Sequence, residues 1–98
     1  MEVVWLKEAT EDLKLIANYI SKQNPQAAFR VITRIKAAVD CLQDTPFAGR
    51  PGRILGTHEL VIAGSPYVVP YYIKEAEIRV LAVLHGAQKW PGEFPGIQ

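Results

Sequence analysis

Few side chains in this 98-residue sequence carry chemistry, and they fall in two stretches. The first is Arg50-Pro51-Gly52-Arg53. Pro51-Gly52 suits the centre of a type II turn, because proline sets the first φ and glycine accepts a positive one. Two guanidinium groups flanking such a turn project together and suit an anionic partner; the plainer reading is two solvated arginines. The second stretch follows the apolar run Ile78-Arg79-Val80-Leu81-Ala82-Val83-Leu84, where the chain changes at once to His85-Gly86-Ala87-Gln88-Lys89-Trp90-Pro91. An imidazole at a strand end can act as acid or base, or simply cap a backbone group. Arg79 and His85 share strand parity, so a regular strand points both to one face, roughly 20 Å apart at ~3.3 Å per residue. They can serve one phosphate only if the chain turns back after Leu84.

Other chemistries lack their parts. One cysteine and two histidines far apart give no metal-ligand spacing, and no cofactor motif is present. Gly49-Arg50-Pro51-Gly52 lacks the lysine and following helix of a phosphate loop, and no serine nucleophile elbow occurs. Cys41, between Val39 and Leu42, reads as helix filler. Tyr67, Tyr71 and Tyr72 could stack on bases but fit strand packing better.

Composition frames these candidates. A net charge of +1 gives no global basic field of the kind that binds nucleic acid. The bias is local: Lys14, Lys22, Arg30, Arg34 and Lys36 lie in an acid-free stretch, which reads as solvated helix surface. Hydrophobic residues at 49% and charged residues at 21% fit a folded domain. No stretch approaches the ~20 apolar residues of a membrane span. The start of the chain lacks signal-peptide character, and a lone cysteine suits a reducing cytoplasm. The expectation is one cytoplasmic domain over residues 1–98, with 86–98 a tail after the last strand.

The positioning elements follow from periodicity. Residues 3–6 form a short strand. Ala9, Leu13, Ile16, Ala17 and Ile20 then mark one face of a helix from Lys7 to near Gln23, with Glu8, Glu11 and Asp12 in the dipole-favoured first turns. Asn24 caps a second helix that has Pro25 at its first position. Its stripe is Ala28, Val31, Ile32, Ile35, Ala38, Val39 and Leu42, and it stops before Pro46. So short a connection makes an antiparallel helical hairpin. Residues 45–56 read as loop and 57–62 as a strand with His58, Leu60 and Ile62 on one face. A turn at 63–66 leads to a strand over 67–74. There Pro70, with no N–H, implies a bulge or a position facing away from a neighbour. Glu75-Ala76-Glu77 is a tight turn into the strand over 78–84, which reads as central and buried on both faces. The order is β-α-α-β-β-β: an α+β fold, its helical hairpin packed on a small, largely antiparallel sheet.

These residues in this order resemble the RelE/ParE superfamily of toxins from bacterial type II toxin–antitoxin modules. The resemblance is carried by Trp5 before Glu8-Ala9, Asp12-Leu13 with Ile16, Tyr19-Ile20, Asn24-Pro25 with Ala27-Ala28, and Pro46. It continues through Gly49-Arg50-Pro51-Gly52-Arg53, Glu59-Leu60-Val61, Tyr67-Val68-Val69-Pro70-Tyr71 and Val83-Leu84-His85-Gly86-Ala87. It implies the same fold, and an antitoxin partner through which alone the protein meets DNA.

The superfamily holds two activities on one fold. RelE-like members cut mRNA in the ribosome with basic residues on the later strands and tail; ParE-like members poison DNA gyrase. This sequence departs from the nuclease pattern: Val68, Glu59 and Val61, and Ala87 and Gln88 stand where basic residues are typical. Phe94 stands where a late tyrosine would bring a hydroxyl. Each missing transition-state donor costs ~10²–10³ in rate. The resemblance therefore points to the ParE side and away from an enzyme, with Arg50, Arg53, His85, Gln88, Lys89 and Trp90 as target contacts. The alternatives are a metal-independent, ribosome-dependent mRNA endonuclease using His85 with Arg50 or Arg53, and an inert antitoxin-binding relative.

Overall fold

The computed structural model describes residues 1–97. Strand β1 (Glu2–Trp5) leads through Leu6 into helix α1 (Lys7–Ser21). Helix α2 (Pro25–Asp40) starts where its cap demands: the Asn24 side chain accepts a hydrogen bond from the Ala27 N–H at 3.1 Å. A 3-10 turn at Cys41–Gln43 ends it. The two apolar stripes meet the sheet as the period requires, and Ala9, Leu13, Ile35 and Val39 are buried there with Leu42. Cys41 is exposed at the helix end, not filler in the core.

The sheet has six strands: β1, β2 (Arg50–Pro51), β3 (His58–Val61), β4 (Tyr67–Lys74), β5 (Glu77–Val80) and β6 (Leu84–His85). Its order is β1-β5-β4-β3-β2, with β6 also on β4. Among the described residues β1 and β5 alone pair in parallel. The centre is thus β4. Part of the expected loop is a hairpin arm, since Arg50 and Pro51 pair with Glu59 and His58. The positive φ falls at Gly56 (+85°), not Gly52, so the type II geometry sits at residues 54–57, closed by Thr57 N–H to the Ile54 carbonyl at 3.1 Å. Both turns offered glycine at the required place; pairing of Arg50 with Glu59 decides for the later one. The β4–β5 turn is formed by Glu75 and Ala76 at φ 54° and 61°, two non-glycine residues in left-handed geometry.

The expected strand over 78–84 is broken. Tyr71 pairs with Val80 and Val68 with Leu84, so residues 81–83 span only Val69 and Pro70 on β4. One extra residue makes a β-bulge. Its cause is Pro70, whose carbonyl accepts the Leu81 N–H at 2.9 Å while its own nitrogen donates nothing. Asp12 of α1 steadies the bulge by accepting the Val83 N–H at 3.0 Å. The extra residue inverts parity. Arg79 stays beside Tyr72 on the helix-free face, while His85 turns to the helix side opposite Tyr67. The two do not share a face.

Residues after β6 close the helix-free face. Phe94 is buried there with Tyr72, Leu81, Ala82 and Leu84, and Leu6, Ile54, Trp90 and Ile97 pack around them. The Tyr72 hydroxyl donates to the Gly96 carbonyl at 2.9 Å. The sheet therefore has two covers, a helical hairpin on one side and a C-terminal strap on the other.

Candidate functional site

The β2–β3 hairpin brings Arg50 and Arg53 together through a group that sequence reasoning counted only as a missing base. Glu59 is 3% exposed. Its Oε1 accepts from Arg50 Nε at 3.1 Å and lies 3.0 Å from Arg50 Nη2. Its Oε2 accepts the Arg53 backbone N–H at 2.8 Å and lies 3.8 Å from Arg53 Nε. One carboxylate thus binds both guanidinium groups, fixes the hairpin and leaves the cluster one net positive charge. The signal was available in principle, since a hairpin turning at residues 54–57 puts Arg50 opposite Glu59.

The tail completes the arrangement. The Arg53 guanidinium lies 3.7 Å from the centroid of Trp90, and Trp90 Nε1 donates to the His85 carbonyl at 3.3 Å. The His85 N–H donates to Gln88 Oε1 at 2.7 Å, while His85 Nδ1 accepts the Ala87 N–H at 3.1 Å. That bond puts the proton of the neutral ring on Nε2. Arg50, Arg53, His85, Gln88 and Trp90 therefore form one connected ridge; Lys89 is exposed beside it. Sequence distance hid this union, because no local pattern announces a stack between residues 53 and 90.

Arg79 is occupied elsewhere. Its guanidinium lies 3.0 Å from Glu77 and 3.7 Å from Glu75 and donates to the Tyr72 hydroxyl at 3.4 Å; the hydrogen bonds to Tyr72 first and Glu77 second raise its pKa. His58, the other imidazole, stacks on Tyr71 and meets the edge of Phe47, its buried Nδ1 without a hydrogen bond. Burial raises the pKa of the Tyr71 hydroxyl, partly offset by the Gly49 N–H it accepts; it donates to the Pro46 carbonyl at 2.8 Å. Tyr71 thus pins the loop entering β2, and the tyrosines of β4 pack rather than stand free. Among the described residues no three His, Cys, Asp or Glu side chains gather as a metal site. No helix there is long and apolar enough to cross a membrane.

Two helices on one face of a mixed, mostly antiparallel sheet, with this basic hairpin and strand-end histidine, define the class of small α+β toxins that the sequence resembled. The chain belongs to the ParE toxin family of type II toxin–antitoxin systems, parDE, whose family model matches residues 3–90. Y4kP of Sinorhizobium fredii, named as a candidate toxin, is 47% identical over 87 residues, covering 89% of this chain and 90% of that protein. Toxin RelE2 of Caulobacter vibrioides is 36% identical over 87 residues, covering 89% and 97%. A solved structure described as a chromosomal ParDE toxin–antitoxin system from P. aeruginosa superposes with a TM-score of 0.79 at 28% identity, covering 87% of this chain and 95% of that one. An antitoxin partner follows from the family.

Proposed function

We propose that this type II toxin acts in the cytoplasm by binding DNA gyrase, without cutting RNA, and that its cognate antitoxin blocks the binding surface. One observation carries the reading: the groups a nuclease would aim at a phosphate are turned on neighbours. Arg50 and Arg53 share Glu59, Arg79 is held by Glu77, Glu75 and Tyr72, and His85 Nδ1 accepts a backbone N–H. Stabilising a phosphorane-like transition state needs donors directed at the empty space where that charge develops. A ridge of half-exposed arginines, one stacked on tryptophan, has instead the make-up of a protein–protein anchor. On this reading Arg50, Arg53, His85, Gln88, Lys89 and Trp90 contact the target, and DNA is reached only through the antitoxin.

The test uses purified toxin with gyrase and relaxed plasmid. Supercoiling should fall and cleaved complexes accumulate, with Arg53→Glu and Trp90→Ala each weakening the effect at least tenfold. Unchanged supercoiling and cleavage overturn the reading. Cuts in translated mRNA that disappear in His85→Ala would establish the endonuclease alternative. Growth unaffected by induction without antitoxin would mark an inert relative.

A further inference from the structure

We infer that the cleft between α1 and the β4–β6 end seats the antitoxin, and that it receives a basic side chain, Arg or Lys, flanked by apolar residues. The inference rests on the antitoxin partnership and adds where and by what chemistry it is made. The cleft encloses about 520 Å³, and its wall is apolar: Leu15, Ile16, Tyr19, Tyr67, Val83 and Leu84. That size lies within the ~300–1,000 Å³ of pockets that hold organic groups. Leu15 is 66% exposed and Tyr19 69%, one helical turn apart. They do not face the core that α1 covers with Ala9 and Leu13. Two large apolar side chains bordering a cleft need a partner more than scattered surface residues do.

The charge of the site selects the occupant. Asp12 lines the cleft, half-buried, and accepts the Val83 N–H. Among the described residues no ion pair engages it; the acids in the ion pairs are Glu59, Glu75 and Glu77. Among the described residues no lysine or arginine lines the cleft. Glu8 and Glu11 lie near enough to add to the negative potential, while burial is the main cause that raises the Asp12 pKa. A half-buried carboxylate without a cation is only partly solvated, and a guanidinium or ammonium group from a partner offsets that loss. Tyr19 and Tyr67 add aromatic rings to the wall, which attract a cation when it lies over a ring face. Nucleic acid and small anions have the wrong sign, and a purely apolar segment would leave Asp12 covered and unpaired. His85 and Gln88 form the rim. A segment seated here therefore touches two residues of the ridge assigned to the target, which gives neutralisation by overlap.

The probe is the cognate antitoxin, sought as the product of the adjacent gene and purified with the toxin as a complex. Asp12→Asn keeps an acceptor for Val83 and removes the charge; Leu15→Asp changes an exposed side chain that the core does not need. Each should weaken antitoxin binding by at least tenfold, with Leu55→Ser, at a hairpin tip 97% exposed, unchanged. In a double-mutant cycle one Lys or Arg of the antitoxin should lose most of its contribution in the Asp12→Asn background. Salt should weaken wild-type binding more than binding to that variant. Unchanged affinity in both cleft variants, with neutralisation intact, overturns the cleft assignment and leaves the toxin reading standing. A neighbouring protein that neither binds nor neutralises overturns the partnership and the cleft together. If Asp12→Asn fails to fold, Leu15→Asp decides.

Discussion

The two faces of the sheet are covered by different means. The helix side is closed by two stripes of small and branched aliphatics that interdigitate with Val69, Tyr71, Ile78 and Val80. The other side is closed by a strap without regular structure, anchored by Phe94, by the Tyr72–Gly96 hydrogen bond and by Arg53 on Trp90. The first cover draws on burial of continuous apolar area, which is insensitive to salt and charge. The second mixes burial with polar and cation–π contacts, and the residues proposed to meet the target, from Arg50 and Arg53 to Gln88 and Trp90, lie on it or beside it. On the proposed function, the face that meets the target is held by contacts that can be exchanged for the target's.

That contrast can be broken by measurement. Ile78→Ala on the helix face should show the largest effect, about 4 kcal/mol in urea unfolding, because its site is walled by regular structure that cannot collapse. Phe94→Ala should cost less, about 3 kcal/mol, since the strap can close part of the gap. Equal losses would remove the distinction between the covers. Glu59→Ala should cost about 2 kcal/mol, because it leaves the Arg53 backbone N–H without its acceptor and two arginines unpaired. Glu59→Gln should recover part of this loss. Ala76→Gly should stabilise by about 1 kcal/mol, relieving left-handed geometry in a turn that belongs to neither cover; no gain in the urea midpoint would contradict the turn assignment.

The smallest effect is a pH dependence. In the unfolded chain Asp12 titrates near 3.8, and in the fold burial raises that value, with the Val83 N–H opposing and Glu11 and Glu8 adding. A raised acid contributes stability that is present below 3.8 and lost as pH climbs through the folded value. Asp12→Asn should therefore gain on the wild type as pH rises above that range. Parallel stability curves would show that the carboxylate is not desolvated.

What could be read from the sequence divides along the same line. The helices, the Asn24 cap and the strands at 58–61 and 67–74 were legible because period and local punctuation encode them within a few neighbours. Pro70 announced a bulge or a position facing away from a neighbour, since a missing N–H is a local fact. Its consequence for His85 was not legible: face assignment by parity holds only while a strand stays regular, and the bulge lies on the partner strand. Glu59 was visible only as a lost base, because its meaning depends on the register of the β2–β3 hairpin. The strap was hidden for a different reason. Residues 86–97 have no periodicity, and their hold on the sheet depends on contacts with residues as distant in sequence as Leu6.

The bulge itself ties three positions into one heritable unit. Pro70 has no N–H to give the ladder, the additional residue at 81–83 has no place in a regular one, and Asp12 accepts the N–H of Val83 inside that irregular stretch. Each would be a defect alone, and together they correct one another. The chain can lose or gain such an irregularity only through coordinated changes, so a one-codon deletion at 81–83 should be harmful in this background and tolerated once Pro70 donates again. Where His85 faces is then settled by the compatibility of three codons, not by the histidine's own.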